Sequence, residues 1–266
     1  MEERGEGQVP ELLELKVTDG VGILRLKRPP LNILNQALVT ELAAAAVEAG
    51  RSPAIRAVVI WGEGRHFSAG ADVGEFQEMG VPEVYEYGKL LDAAFRGWAD
   101  LPKVTIAAVN GYALGGGCEL ALAADFRFVS ERATLGLPEI QLGIIPCGGG
   151  TQRLPRLIGP ARAKEMIFTG RHVKPEEALA IGLVDAVFPA AELLERAVEA
   201  ARRYASGPLV ALRAAKALVN RSSGDIEVGL DLERHAFSML FGTEDRRAGV
   251  ASLAENGPGK AAFSGR

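Results

Sequence analysis

Cysteine, histidine and aromatic residues are scarce in this 266-residue chain, which holds two Cys, three His and 6% Phe, Trp and Tyr. Cys118 and Cys147 form no CxxC pair, so a disulfide framework is excluded and reduced thiols in a cytoplasmic protein are expected. A buried small residue is the expected role of Cys118. His66, His172 and His235 are scattered without ligand spacing, so no metal site is expected. No uninterrupted apolar run reaches the ~18 residues of a membrane helix. Charge of one sign is also lacking: the formal net charge is -4, and Arg202-Arg203 and Arg246-Arg247 are isolated pairs. General attraction to nucleic acid or to an anionic membrane is therefore not expected. A Gly-x-x-x-x-Gly-Lys-Ser/Thr pattern is absent as well, which argues against a nucleotide phosphate loop.

Glycine, in contrast, is plentiful at 32 residues, and its placement is informative. Val104 to Val109 is a short apolar run ended by Asn110-Gly111, the pattern of a strand buried on both faces and followed by a turn. Good helix formers at residues 120–124 place Gly115, Gly116 and Gly117 where the first helical amides have no partner. Without a Cβ the backbone there is approachable, and the positive end of the helix favours negative charge. A lone glycine run more often serves only close helix–strand packing.

A second strand–loop–helix corner lies upstream, where residues 56–61 form an apolar strand followed by Phe67-Ser68-Ala69-Gly70-Ala71-Asp72. Asp72 with Glu75 three residues later reads as a helix start whose side chains cap free amides. If the two corners converge, one amide from each, Ala71 and Gly116, would grip a single carbonyl oxygen.

Two segments, Asn110-Gly111-Tyr112-Ala113-Leu114-Gly115-Gly116-Gly117-Cys118-Glu119-Leu120 and Leu137-Pro138-Glu139-Ile140-Gln141-Leu142-Gly143, carry a family resemblance. With Pro146-Cys147-Gly148-Gly149-Gly150-Thr151-Gln152-Arg153-Leu154 they resemble the enoyl-CoA hydratase (crotonase) family, and the match runs from Arg28 to Arg266. The resemblance implies an α/β fold, a spiral of ββα units with a C-terminal helical region that assembles homotrimers or homohexamers. It implies an acyl-CoA thioester as substrate, CoA being part of that substrate and not a cofactor. The thioester carbonyl would lie between the amides of Ala71 and Gly116, with Ala69, Asp72, Val73 and Gly74 completing the substrate-binding segment. By the same matching, Glu119 activates water and Glu139 delivers a proton, hydrating a 2-trans-enoyl-CoA to a 3-hydroxyacyl-CoA in fatty acid or related acyl-CoA degradation.

The chemistry agrees with that assignment, because hydration needs a base and an acid, and two neighbouring carboxyls resist joint ionisation so that one pKa rises. Taken singly, a Glu on a helix is usually solvated surface, and Glu139 after Pro138 suits a helix N-terminus. Three residues depart from the family pattern. Leu137 stands where some hydratases have Gln, Cys147 sits in a usually glycine-rich loop, and Gly74 replaces a Lys, leaving Lys260 as a weak candidate for the CoA phosphates. An enoyl-CoA isomerase, sharing the thioester grip, is the nearest alternative. A non-catalytic acyl-CoA-binding or RNA-binding protein is more remote, since phosphate binding needs clustered cations.

The remaining layout is expected as follows. Residues 1–11 are polar and form a loose terminus rather than a targeting segment, and 12–17 with 21–26 make a hairpin around Asp19-Gly20. Helices cover 36–50 and 81–99, and Tyr85, Tyr87, Leu90, Leu91 and Phe95 of the latter border an acyl tail or belong to the core. Short strands cover 125–129 and 134–135, and a helix over 151–157 is capped by Thr151. Another helix at 161–169 stops at Gly170, and Pro175 opens the next. Beyond Ala190 the chain is helical at 193–205, 209–219, 226–240 and 245–255. The expected division is an α/β core at 1–190 and a helical region at 191–266.

Overall fold

The structure, a computed structural model, describes residues 12–266; the loose terminus expected at 1–11 lies outside them. Asp19 and Gly20, both at positive φ (50° and 78°), close a two-residue turn between β1 (Leu13–Thr18) and β2 (Val21–Leu26). Thr18 faces Val21 across it, the geometry of a hairpin turn whose twist matches its strands. α1 (Gln36–Arg51) follows, capped by Asn35, then β3 (Ala57–Gly62), the short α2 (Val73–Phe76) and α3 (Val81–Ala99). β4 (Val104–Val109) leads into β5 (Tyr112–Leu114) and α4 (Gly116–Ala123). β6 (Phe126–Ser130) leads into β7 (Thr134–Gly136) and a 3-10 turn at Pro138–Leu142.

The rest comprises α5 (Gly150–Ile158), α6 (Pro160–Thr169), β8 (His172–Val173), α7 (Pro175–Ala180) and β9 (Ala186–Phe188). Four helices close the chain: α8 (Leu193–Ala205), α9 (Leu209–Val219), α10 (Ile226–Leu240) and α11 (Glu244–Asn256). Thr151 does not cap α5. Gly149, at φ 105°, holds the cap position, and the Thr151 hydroxyl accepts from Gln152 Nε2 inside the first turn.

The strands form two sheets, one ordered β1-β2-β3-β4-β6-β9 and parallel from β2 onward, the other ordered β5-β7-β8. β4 and β6 each hand the chain to a short strand of the second sheet and then to a helical turn. β3 does the same in reduced form, since Ser68 bridges to Ala113 of β5 before α2 begins. These repeats make the spiral of ββα units.

Alternation along the central strands feeds two cores. Val58, Ile60, Ala107 and Val109 face one side, with α1, α3 and α4. Ala57, Val59, Ile106 and Ala108 face the other, where Leu193, Ala197, Val198, Ala201 and Ala205 of α8 cover them. Burial of each larger aliphatic side chain there is worth ~1.5–3 kcal/mol. α9 is tied below the sheet by Lys216, whose ammonium donates to Asp125 (2.9 Å) and to the Lys103 carbonyl (3.0 Å). α10 has no buried side chain at all.

Candidate active site

The two glycine corners meet. Ser68 N donates to the Tyr112 carbonyl (2.9 Å) and Leu114 N donates to the Ser68 carbonyl (3.0 Å), so the segment after β3 runs beside β5. A Cβ on Gly117 would stand 2.3 Å from Ser68 O, so only glycine permits that approach. Of the amides here, Ala69 donates to Leu31 O, Gly70 to Ser68 Oγ and Asp72 to Leu34 O. The Ala71 amide has no acceptor among the described residues. Gly116 opens α4, where the first amides lack intrahelical partners, and a Cβ on it would lie 3.6 Å from Ala71 N. Two free donors from different loops therefore sit side by side, close enough to share one oxygen.

Asp72 caps α2 through Gly74 N (3.3 Å) and pairs with Arg28 (3.1 Å). Glu75 does not complete the reciprocal cap expected of it, because the Asp72 amide already donates to Leu34; its carboxylate accepts from Gln36 N at 3.0 Å and joins α2 to α1. Val73 and Gly74 lie on the exposed first turn of α2, and Lys260 is exposed beyond α11.

Glu119 is 2% exposed, on the first turn of α4. Its Oε1 accepts from Gly150 N at 2.8 Å. A Cβ on Gly148 would stand 2.8 Å from Oε2 and 2.5 Å from the Phe95 ring, and one on Gly150 would stand 3.0 Å from Oε1. The loop is thus shaped around the carboxylate, and Arg153 braces it by donating to the Gly148 carbonyl (2.8 Å). Burial pushes the Glu119 carboxyl up, while the Gly150 and Gly148 amides and the Arg153 charge pull it down and favour the anion.

Glu139 lies in the first turn of the 3-10 segment, with Oε1 3.2 Å from where a Cβ on Gly115 would be. Gly115 has φ 51°, so glycine also suits its backbone. Glu139 Oε2 is buried without a hydrogen-bond partner among the described residues. Burial raises its carboxyl to about 7, its own amide opposes this, and the Glu119 charge adds to it. Both carboxyls are raised above their ordinary range by burial, and amides of another loop with the Arg153 guanidinium oppose the rise only at Glu119, beside the two free amides.

Gly148, Gly150 and Arg153 gain a definite role only in the structure; the sequence signal for them is the Gly148-Gly149-Gly150 run. Cys118 is fully buried, and burial raises its thiol to about 12, which makes it inert. Tyr87, Leu91 and Phe95 are buried, whereas Tyr85 is exposed. Among the described residues no group of three or more His, Cys, Asp or Glu side chains gathers as a metal site would require. No helix is long and apolar enough to cross a membrane among the described residues.

Known proteins resemble this chain in sequence and fold over nearly its whole length. The sequence is 39% identical over 248 residues to the crotonyl-CoA hydratase of Syntrophomonas wolfei subsp. wolfei, covering 92% of this chain and 95% of that one. It is 41% identical over 238 residues to the short-chain-enoyl-CoA hydratase of Clostridium acetobutylicum, covering 88% and 91%. The crystal structure of an enoyl-CoA hydratase from Bacillus anthracis superposes with a TM-score of 0.91 at 38% identity, covering 96% of this chain and all of that one. The family model for enoyl-CoA hydratase/isomerase matches residues 16–265. With fold and sequence in agreement over that length, this chain belongs to the enoyl-CoA hydratase/isomerase family.

Proposed function

We propose that the protein hydrates a 2-trans-enoyl-CoA to the 3-hydroxyacyl-CoA, in fatty acid or related acyl-CoA degradation. The observation that carries this reading is the buried carboxyl pair, Glu119 held by the Gly148–Gly150 loop and Glu139 raised to about 7, next to the unpartnered Ala71 and Gly116 region. Relatives named crotonyl-CoA hydratase and short-chain-enoyl-CoA hydratase support it.

In this mechanism the thioester oxygen accepts from the Ala71 and Gly116 amides. Glu119 takes a proton from water as the water oxygen bonds to Cβ. The electron pair of the double bond moves onto the thioester oxygen as an enolate, where each amide is worth roughly 3–4 kcal/mol. Glu139 then gives its proton to Cα, so one water is added. The proton gained by Glu119 and the proton lost by Glu139 are re-equilibrated with solvent before the next turnover. CoA enters as part of the substrate, and the steps call on no resident cofactor.

The same reading includes a homotrimer or a homohexamer in the cytoplasm. The apolar side chains that α10 leaves exposed, Phe237 at 61% and Met239 at 78% among them, support an assembly. Light scattering that shows only a 28.1 kDa particle at micromolar concentration would refute it.

The deciding test is a panel of crotonyl-CoA, longer 2-enoyl-CoAs and 3-enoyl-CoAs at equal enzyme concentration. Loss of the enoyl-thioester absorbance supports hydration; rapid conversion of 3-enoyl-CoA with none of that loss would assign an isomerase instead. Calorimetry adds a second check, with crotonyl-CoA expected to bind far more tightly than crotonate.

A further inference from the structure

Between the end of β3 and the first glycine corner, the backbone at 62–66 is held by two asparagine side chains. Asn32 Nδ2 donates to Glu63 O (2.9 Å) and His66 O (2.7 Å), and Asn110 Nδ2 donates to Gly62 O (3.1 Å) and Gly64 O (2.7 Å). Asn32 is fully buried; its Oδ1 accepts from Arg28 N (3.0 Å) while its own N donates to the Arg28 carbonyl (2.8 Å). Its φ of 49° lies in the left-handed region, which glycine and asparagine tolerate best. These bonds fix where the Asn32 side chain points.

The two asparagines also lead toward the two amides of the site. Two residues after Asn32, Leu34 bridges to Ala71, its N donating to Gly70 O (2.8 Å) and its carbonyl accepting from Asp72 N (3.1 Å). Asn110 follows β4 and stands two residues before β5, which runs into Gly115 and Gly116. The loop is joined to β5 as well: His66 Nδ1 accepts from Tyr112 N (3.1 Å), and the two rings stack at 4.2 Å. Burial, and then the Arg65 charge, holds the imidazole below its ordinary range, in the neutral form that can accept. Loop 62–66 is therefore gripped from two sides, by the segment that pairs with Ala71 and by the segment that carries Gly116.

We propose that Asn32 and Asn110 are positioning residues that set the spacing of the Ala71 and Gly116 amides, acting through the carbonyls of loop 62–66. A pair of donors stabilises the developing enolate only while both lie at hydrogen-bond distance from one oxygen, so drift of the loop costs turnover more than binding. The inference rests on the thioester reading of the site and adds the residues that hold it in register.

The experiment compares wild type with Asn32→Gly, which suits the φ of 49° and removes only the side chain, with Asn110→Ala and with the double variant. Lys216→Met is the control, since it unties α9 at the opposite end of β4. Each protein is read by the infrared carbonyl stretch of bound butyryl-CoA isotope-labelled at the thioester carbon, by the calorimetric Kd of the same probe, and by kcat with crotonyl-CoA. The stretch is expected to fall when wild type binds the probe, because two donors weaken the C=O bond. Each single variant is expected to lose about half of that fall and about tenfold in kcat, less than the roughly 10²- to 10³-fold cost of a whole donor, with Kd changed by less than about threefold. The double variant should lose less than the product of the single losses, because both side chains act through one loop. Lys216→Met should melt earlier and keep the full shift. A folded Asn32→Gly or Asn110→Ala that keeps the full shift, or losses that follow melting temperature with Lys216→Met included, overturns the positioning role and leaves the thioester grip intact. An unshifted carbonyl in bound wild type would instead remove the thioester reading itself.

Discussion

Glu119 and Glu139 occupy neighbouring regions built to opposite ends. The first is enclosed by a loop of glycines whose amides, with the Arg153 charge, oppose but do not cancel the upward push of burial on its carboxyl. The second sits on a 3-10 turn against Gly115 with one oxygen unpartnered, so only its own amide offsets the cost of ionising it there. Two identical side chains, both raised by burial, differ in what opposes the rise: a neighbouring loop and a guanidinium at Glu119, only its own amide at Glu139.

Removing either carboxyl should break the pairing most severely. Glu119→Gln and Glu139→Gln are each expected to lower kcat about 10²- to 10⁴-fold while thioester binding, read by calorimetry, changes far less. Gly148→Ala comes next. Its Cβ would fall 2.5 Å from Phe95 and 2.8 Å from Glu119, and displacing that carboxylate by about 1 Å should cost roughly 10²-fold in crotonyl-CoA turnover. Gly143→Ala, whose Cβ meets nothing within 4 Å but sits at φ 74°, a strain that Gly148 does not carry, tests backbone strain without contact to Glu119 and should retain most activity.

The unpartnered region has its own signature in pH. Glu139 titrates near 7 when folded against an ordinary 4.5, so the folded state holds the extra proton between those values. Stability contributed by this group is present below about 4.5, declines as pH rises through that window, and is gone above about 7. Glu139→Gln, neutral throughout, should therefore gain melting temperature relative to wild type from pH 4 to pH 8 even as turnover collapses. A flat difference across that range would show that Glu139 is not desolvated. The kcat of wild type should likewise fall above about pH 7 as the acid form is lost.

The smallest effect is expected at Asp72, which the structure gives a capping bond and an exposed-side pair with Arg28. Asp72→Ala should lower stability by about 1 kcal/mol in a denaturant titration and leave the surroundings of the two glutamates unchanged.

Much of this was legible beforehand for local reasons. β4, α3, α8, α9 and α10 begin and end where apolar periodicity and breakers say they should. β5, β8 and β9 escaped notice because strands of two or three residues are too short to show alternation. Thr151 misled because a hydroxyl at a helix start is normally a cap; here the preceding glycines turn toward Glu119, and the helix opens one residue early. Glu75 misled in the same way, its carboxylate taken by an amide 39 residues away.

The sequence by itself determined most of the longer helices and strands and the two glycine corners with Ala71 and Gly116, because backbone freedom and helix-end polarity are local properties of residue type; the roles expected of Glu119 and Glu139 came from the family resemblance. Only the tertiary structure decided that a Glu on a helix is buried, that Gly148 and Gly150 hold it, and that Glu139 keeps one buried oxygen without a partner among the described residues. Each of those depends on which distant segments exclude water from one another, and burial is a property of the packed chain rather than of any stretch of it.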